Sequence, residues 1–151
     1  MSRRRTLALT TAASVIVVGL AAVVALPAAA HWYGGRHQES GGYATGAEAK
    51  GARASVPRWL PDGATSVEYA MGTTGGQRLL KATLRTPGLP PGCTGAPGSG
   101  AGEPELTASW FPKDAEDRAT ARCGLYYAYT EGDTLYAWQR NDDWIRNGAG
   151  Q

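Results

Sequence analysis

Alternation of apolar and polar positions runs through the C-terminal part of the chain, and helical spacing is scarce. Successive side chains of a strand point to opposite faces, so a period of two marks a strand with one buried face. Val67, Tyr69 and Met71 alternate with Glu68 and Ala70. Leu80, Ala82 and Leu84 continue the pattern beyond Thr73-Thr74-Gly75-Gly76-Gln77, which predicts a hairpin with a glycine-containing turn. Leu106, Ala108 and Trp110 predict a third strand ending at Pro112. Leu125–Thr130 and Thr134–Gln139 predict a second hairpin, with Gly132-Asp133 suited to a type II′ turn. Lys113–Arg122 is the one plausible helix, and it is short. Asn141-Asp142-Asp143 reads as a turn, after which Trp144-Ile145 folds back as a lid. The expected class is an all-β or β-dominated small antiparallel domain of about five strands.

The second hairpin carries a sharper expectation. A two-residue loop pairs Glu131 with Thr134, Tyr129 with Tyr136 and Tyr127 with Trp138. Leu125, Tyr127, Tyr129, Tyr136 and Trp138 then share one face, and Tyr126, Ala128, Thr130, Leu135, Ala137 and Gln139 share the other. A slip of one residue would exchange the faces. Two readings follow. Either the aromatic face is core, or Tyr127, Tyr129, Tyr136 and Trp138 form an exposed, ligand-facing platform for sugar rings or a partner.

The N-terminal part has a different pattern. Arg3, Arg4 and Arg5 precede Leu7–Leu26, twenty residues without a charge. As a helix that run spans about 30 Å, the thickness of a bilayer's hydrocarbon core. It reads as a signal anchor with the arginines inside, Trp32 and Tyr33 at the interface and the rest of the chain outside. Ala28-Ala29-Ala30 also satisfies the rule for a cleaved secretory signal, but the apolar run exceeds the usual signal length, which favours the anchor. Both readings export the C-terminal part. Residues 31–55 are rich in Gly, Ala and Ser without an apolar period, and read as a disordered tether. The expected division is therefore a basic tail and anchor over 1–30, a tether over 31–55 and an extracytoplasmic β domain over 56–147.

Charge changes the picture in one respect. The formal net charge is +2, of which Arg3–Arg5 supply three. From Arg53 onward ten basic residues face eleven acidic ones, a net of −1. The sequence pI of about 8.6 thus describes the tail. The domain has no cluster of Lys and Arg to neutralise phosphates, so nucleic acid is not an expected partner.

Few chemistries remain. Cys93 and Cys123 are the only cysteines, both in the exported part, and are expected to form a structural disulfide. The two histidines, His31 and His37, lie in the tether. The domain therefore cannot assemble a Ser-His or Cys-His pair, and two lone histidines make a poor metal site. Ser99 lacks a nucleophile-elbow context. Gly72–Gly76 lacks the Lys-Ser/Thr step of a phosphate loop and its strand-to-helix context, and reads as a hairpin turn. Asp114, Glu116 and Asp117 are interleaved with Lys113 and Arg118, as on a solvated face, although paired carboxylates are what a glycosidase needs. Asp142-Asp143 is a candidate for weak calcium binding, with a turn the simpler reading. No catalytic residue, metal or cofactor is assigned.

VPRWLPDGATSVEYAM at Val56–Met71, TASWFP at Thr107–Pro112 and the Cys93/Cys123 pair resemble a group of small exported or membrane-anchored actinobacterial proteins with no assigned activity. The resemblance covers roughly residues 56–140. It implies export and a single fold, and it carries no functional residues. The leading expectation is a membrane-tethered, non-enzymatic module that binds an envelope protein, a peptide or a glycan. The alternatives are a carboxylate-based envelope hydrolase and a secreted protein with the same domain.

Overall fold

The structure is a computed structural model that describes residues 37–95 and 100–148. Its centre is one antiparallel sheet of seven strands. They are β1 (Gln38–Thr45), β2 (Thr65–Gly72), β3 (Arg78–Thr83), β4 (Cys93–Gly95), β5 (Ala121–Cys123), β6 (Tyr126–Glu131) and β7 (Thr134–Gln139). The strand order is β1-β2-β3-β7-β6-β5-β4. Three short helices accompany it: α1 (Gly46–Ala52), α2 (Ala115–Arg118) and α3 (Asn141–Asn147). The β-dominated antiparallel class is as expected, with seven strands instead of about five.

Both hairpins read from the sequence are present. β6 and β7 pair Tyr127 with Trp138, Tyr129 with Tyr136 and Glu131 with Thr134. Gly132 has φ +63° while Asp133 stays outside the left-handed region, as a type II′ turn requires. β2 and β3 pair Tyr69 with Leu80 and Ala70 with Leu79. Their turn is held by Arg78, whose guanidinium donates to the carbonyls of Gly75 and Gln77 at 2.7 Å each.

The sheet is covered on both faces. On one face Val67, Tyr69, Leu80, Ala82, Leu135 and Ala137 pack with Ala49 of α1 and with Val56, Leu60 and Ala64 of the chain that follows it. On the other, Ala70, Leu79, Tyr129 and Trp138 pack with Phe111, Ala115 and Ala119. A sheet buried on both sides reads as a near-continuous apolar run, not as clean alternation. That explains the sequence YYAY in β6, where Tyr126 and Ala128 serve one layer and Tyr127 and Tyr129 the other.

Four expectations need correction. First, the tether does not extend to residue 55, because β1 and α1 occupy Gln38–Ala52. β1 is an edge strand ordered by backbone pairing with β2, from Gln38 opposite Gly72 to Thr45 opposite Thr65. Such pairing leaves no trace in hydropathy when both side-chain faces are largely wet. Second, Leu106–Phe111 is not a strand. Leu106, Ala108 and Trp110 are half-buried while Thr107 and Ser109 are exposed, but the segment lies over the sheet's face, where no strand edge is offered. Third, the helix expected at Lys113–Arg122 is the single turn α2, and Ala121–Cys123 instead forms β5. Fourth, Asn141-Asp142-Asp143 opens helix α3 instead of a turn, and Ile145 is exposed instead of closing a lid.

The disulfide is formed. Cys93 and Cys123 lie directly opposite each other on β4 and β5, with Cα atoms 4.1 Å apart. The anchor segment Leu7–Leu26, His31 and Ser99 lie outside the described residues. No described helix is long and apolar enough to cross a membrane.

Candidate functional site

The hairpin aromatics lie together, two of them buried and two half-buried. Tyr127 stacks on Trp138 with ring centroids 5.5 Å apart, and Tyr129 on Tyr136 at 5.1 Å. Phe111 meets Tyr136 and Trp138 edge-on. The Trp138 indole donates to the Gly102 carbonyl at 2.8 Å. Trp138 is 0% exposed and Tyr129 3%, while Tyr127 and Tyr136 are half-buried. Residues 101–119 form a strap across this face, so Trp138 and Tyr129 are core, while Tyr127 and Tyr136 keep part of their surface open.

Two arginines finish the layer. The Arg118 guanidinium sits 4.7 Å from the Tyr129 ring centroid and pairs with Glu131 at 2.7 Å. The Arg122 guanidinium lies 4.0 Å over Tyr127. Cation–π contacts of this kind contribute about 0.5–1 kcal/mol at partly exposed sites. The Tyr129 hydroxyl is buried without a hydrogen-bond partner among the described residues, and burial pushes its pKa up to about 12. Tyr126 points into the other layer, where burial pushes its hydroxyl well above the ordinary tyrosine value.

The strap itself holds a cleft. It measures about 210 Å³ and is lined by Leu106, Ala108, Phe111, Pro104 and Pro112, with Glu103 and Lys113 at its charged positions. The two prolines break the backbone on either side of the apolar residues, and the Phe111 ring is fixed by Tyr136 and Trp138 beneath. Neither Glu103 nor Lys113 has an ion pair or hydrogen bond among the described residues. Most other charged side chains of the domain do. A second cleft of about 240 Å³ lies between Pro61, Leu84, Leu89 and Pro90. Its one charge, Arg85, is committed to the Gly63 carbonyl at 3.0 Å.

The acids singled out from the sequence are differently placed. Asp114 faces Arg118 at 3.8 Å and Asp117 is exposed. Glu116 is half-buried, with Oε2 unpartnered. Asp142 pairs with Arg140 at 3.7 Å. Asp143 is 5% exposed and sits between Arg146 at 2.8 Å and Arg122 at 3.7 Å. Arginines thus take the Asp142-Asp143 oxygens that the calcium reading needs. Among the described residues no group of three or more metal-ligating side chains converges. Neither cleft is lined by two carboxylates, the geometry a glycosidase needs.

The remaining motifs are structural. Gly72–Gly76 is the β2–β3 turn, and it also seats α3. The Gly76 N–H donates to Asn141 Oδ1 at 2.9 Å, and a Cβ at Gly76 would run into the Trp144 ring. His37 is exposed at the start of β1, where its carbonyl accepts from the Thr73 N–H at 2.9 Å. Sequence reasoning did not single out Glu103 as a site residue, and it placed Lys113 only in a solvated face. Their shared cleft exists only once the strap is folded over the hairpin. No protein-family model, curated protein or solved structure matches this chain.

Proposed function

We propose that the domain is the working part of an exported, membrane-tethered protein, and that it binds a peptide end in the strap cleft instead of catalysing a reaction. The observation that carries this reading is the pair of unpartnered opposite charges, Glu103 and Lys113, lining one apolar cleft. An ammonium group would go to Glu103 and a carboxylate to Lys113, with an apolar side chain on Leu106, Ala108 and Phe111. The cleft measures about 210 Å³. That suits a residue or two of peptide, not a folded partner. Burial of Trp138 and Tyr129 takes support away from a sugar platform.

Export is supported by the Cys93–Cys123 bond, because disulfides persist in oxidising compartments. It is also supported by the three arginines ahead of Leu7–Leu26. The experiment is a calorimetric titration of the full chain in detergent with a free dipeptide bearing apolar side chains. The same dipeptide is then tested with its amine acetylated or its carboxylate amidated. Saturable binding that weakens about tenfold per blocked end, roughly 1.4 kcal/mol each, is expected. Equal binding of blocked and free dipeptides would contradict the reading.

A further inference from the structure

The two edges of the sheet are unlike. β4 has only three residues and is bonded to its neighbour through Cys93–Cys123. A very short edge strand is one way proteins avoid adding a foreign strand. β1 has eight residues and, among the described residues, none of the usual defences of an edge strand. It contains no proline and no lysine. No register shift interrupts its pairing with β2; the irregularity at Thr65–Glu68, where Ser66 has φ +49°, lies on the β3 side of β2. The one charge of β1, Glu39, is turned to Arg53 of the same chain at 2.6 Å.

The backbone phase of β1 follows from a single bond. The Thr73 N–H donates to the His37 carbonyl, so His37 and Thr73 form a hydrogen-bonded pair. In an antiparallel ladder such pairs alternate. Glu39, Gly41 and Tyr43 therefore direct their backbone groups to β2, and Gln38, Ser40, Gly42 and Ala44 direct theirs outward. One outward group is accounted for: the Ala44 N–H donates to Glu48 Oε2 at 2.9 Å. Gln38, Ser40 and Gly42 keep open N–H and C=O groups among the described residues. A Cβ built at Gly42 would meet nothing within 4 Å.

From this we infer that β1 pairs with β1 of a second copy of the chain, antiparallel and centred on Ser40. The sequence from Gln38 to Gly42 is complementary to itself in that register. Gln38 falls opposite Gly42 of the other copy, Glu39 opposite Gly41, and Ser40 opposite Ser40. The large side chains meet glycines, and no like charges stand opposite, an arrangement that would destabilise the pair. Ser40 opposite Ser40 allows a hydroxyl–hydroxyl bond on the strap face. Three hydrogen-bonded pairs at two bonds each give about six backbone bonds. The tie between Ala44 and Glu48 closes the ladder at that end.

The test is cysteine cross-linking of the full chain purified in detergent, under mild oxidation. Ser40→Cys places two cysteines in a hydrogen-bonded pair, where Cα atoms lie about 5.5 Å apart, within disulfide reach. Ala44→Cys places them eight residues out of register, about 27 Å apart at 3.4 Å per residue. The expected result is a disulfide-linked dimer for Ser40→Cys and none for Ala44→Cys. Gly42→Pro added to Ser40→Cys should abolish the dimer. It removes an outward N–H that β2 does not use, so the sheet of each copy is kept. Cross-linking of both cysteine variants alike, of neither, or of Ser40→Cys despite Gly42→Pro would overturn the inference. So would a Ser40→Cys adduct with a different protein.

Discussion

Replacing Trp138 by alanine tests whether the strap makes the aromatic face a core. Trp138 is fully buried, stacks on Tyr127 at 5.5 Å, meets Phe111 at 6.2 Å and donates to Gly102 at 2.8 Å. Truncation of a buried aromatic costs about 3–5 kcal/mol. Domains of ordinary stability have about 5–15 kcal/mol in total. Trp138→Ala should therefore remove much of the stability and leave the strap detached from the sheet. Trp138→Phe keeps a ring on Tyr127 and Phe111 but leaves the Gly102 carbonyl without its donor, a cost of about 1–3 kcal/mol. With a urea slope of about 1–3 kcal/mol per molar, that is a midpoint fall on the order of 1 M. Ile145→Ala serves as the comparison, since Ile145 is 55% exposed and surface changes stay within about 0.5 kcal/mol. The assay is urea unfolding of the domain from His37 onward, followed by far-UV circular dichroism. A Trp138→Ala midpoint indistinguishable from that of Ile145→Ala would refute the two-layer core.

Three further outcomes are expected. Cys93→Ser and Cys123→Ser should destabilise equally. The loop-entropy estimate for a separation of 30 residues is about 3.5 kcal/mol, checked by the same unfolding assay. Thr45→Ala should cost about 1 kcal/mol, because the Thr45 hydroxyl accepts from the Glu48 N–H at 3.1 Å at the start of α1. Burial raises the Tyr129 pKa from 10.0 to about 12, so the folded state holds that proton more tightly than the unfolded state. This contribution is whole below pH 10 and is lost as pH rises through about 12. Thermal melts between pH 9 and 12 should fall more steeply for the wild type than for Tyr129→Phe.

The parts of the fold legible in the sequence are those where local chemistry and pattern agree. The β6–β7 register could be read because Gly132-Asp133 fixes the loop length and the aromatics then align by arithmetic. β1 was not legible from hydropathy, since an edge strand with two wet faces shows no alternation. One signal for its end is present: Thr45-Gly46-Ala47-Glu48 has the capping-box pattern, although Glu48 accepts from the N–H of Ala44, one residue before the cap. Leu106, Ala108 and Trp110 misled for the opposite reason. Alternation reports burial of one side and is silent on hydrogen bonding, so a strap lying on a sheet imitates a strand. The hairpin aromatics could be named but not placed, because their exposure depends on a segment some twenty residues earlier. Glu103 and Lys113, ten residues apart, come to line one cleft only once the strap is folded.

The claim that one acid and one base of the strap cleft read a zwitterion is tested most directly by exchanging them. Glu103→Lys leaves two bases at the cleft, and Lys113→Glu leaves two acids. Each single variant should bind a free apolar dipeptide about tenfold more weakly than the wild type, roughly 1.4 kcal/mol. The double variant restores one charge of each sign, with the ligand reversed, and should recover affinity to within about threefold. A double variant that binds no better than either single variant would contradict the account.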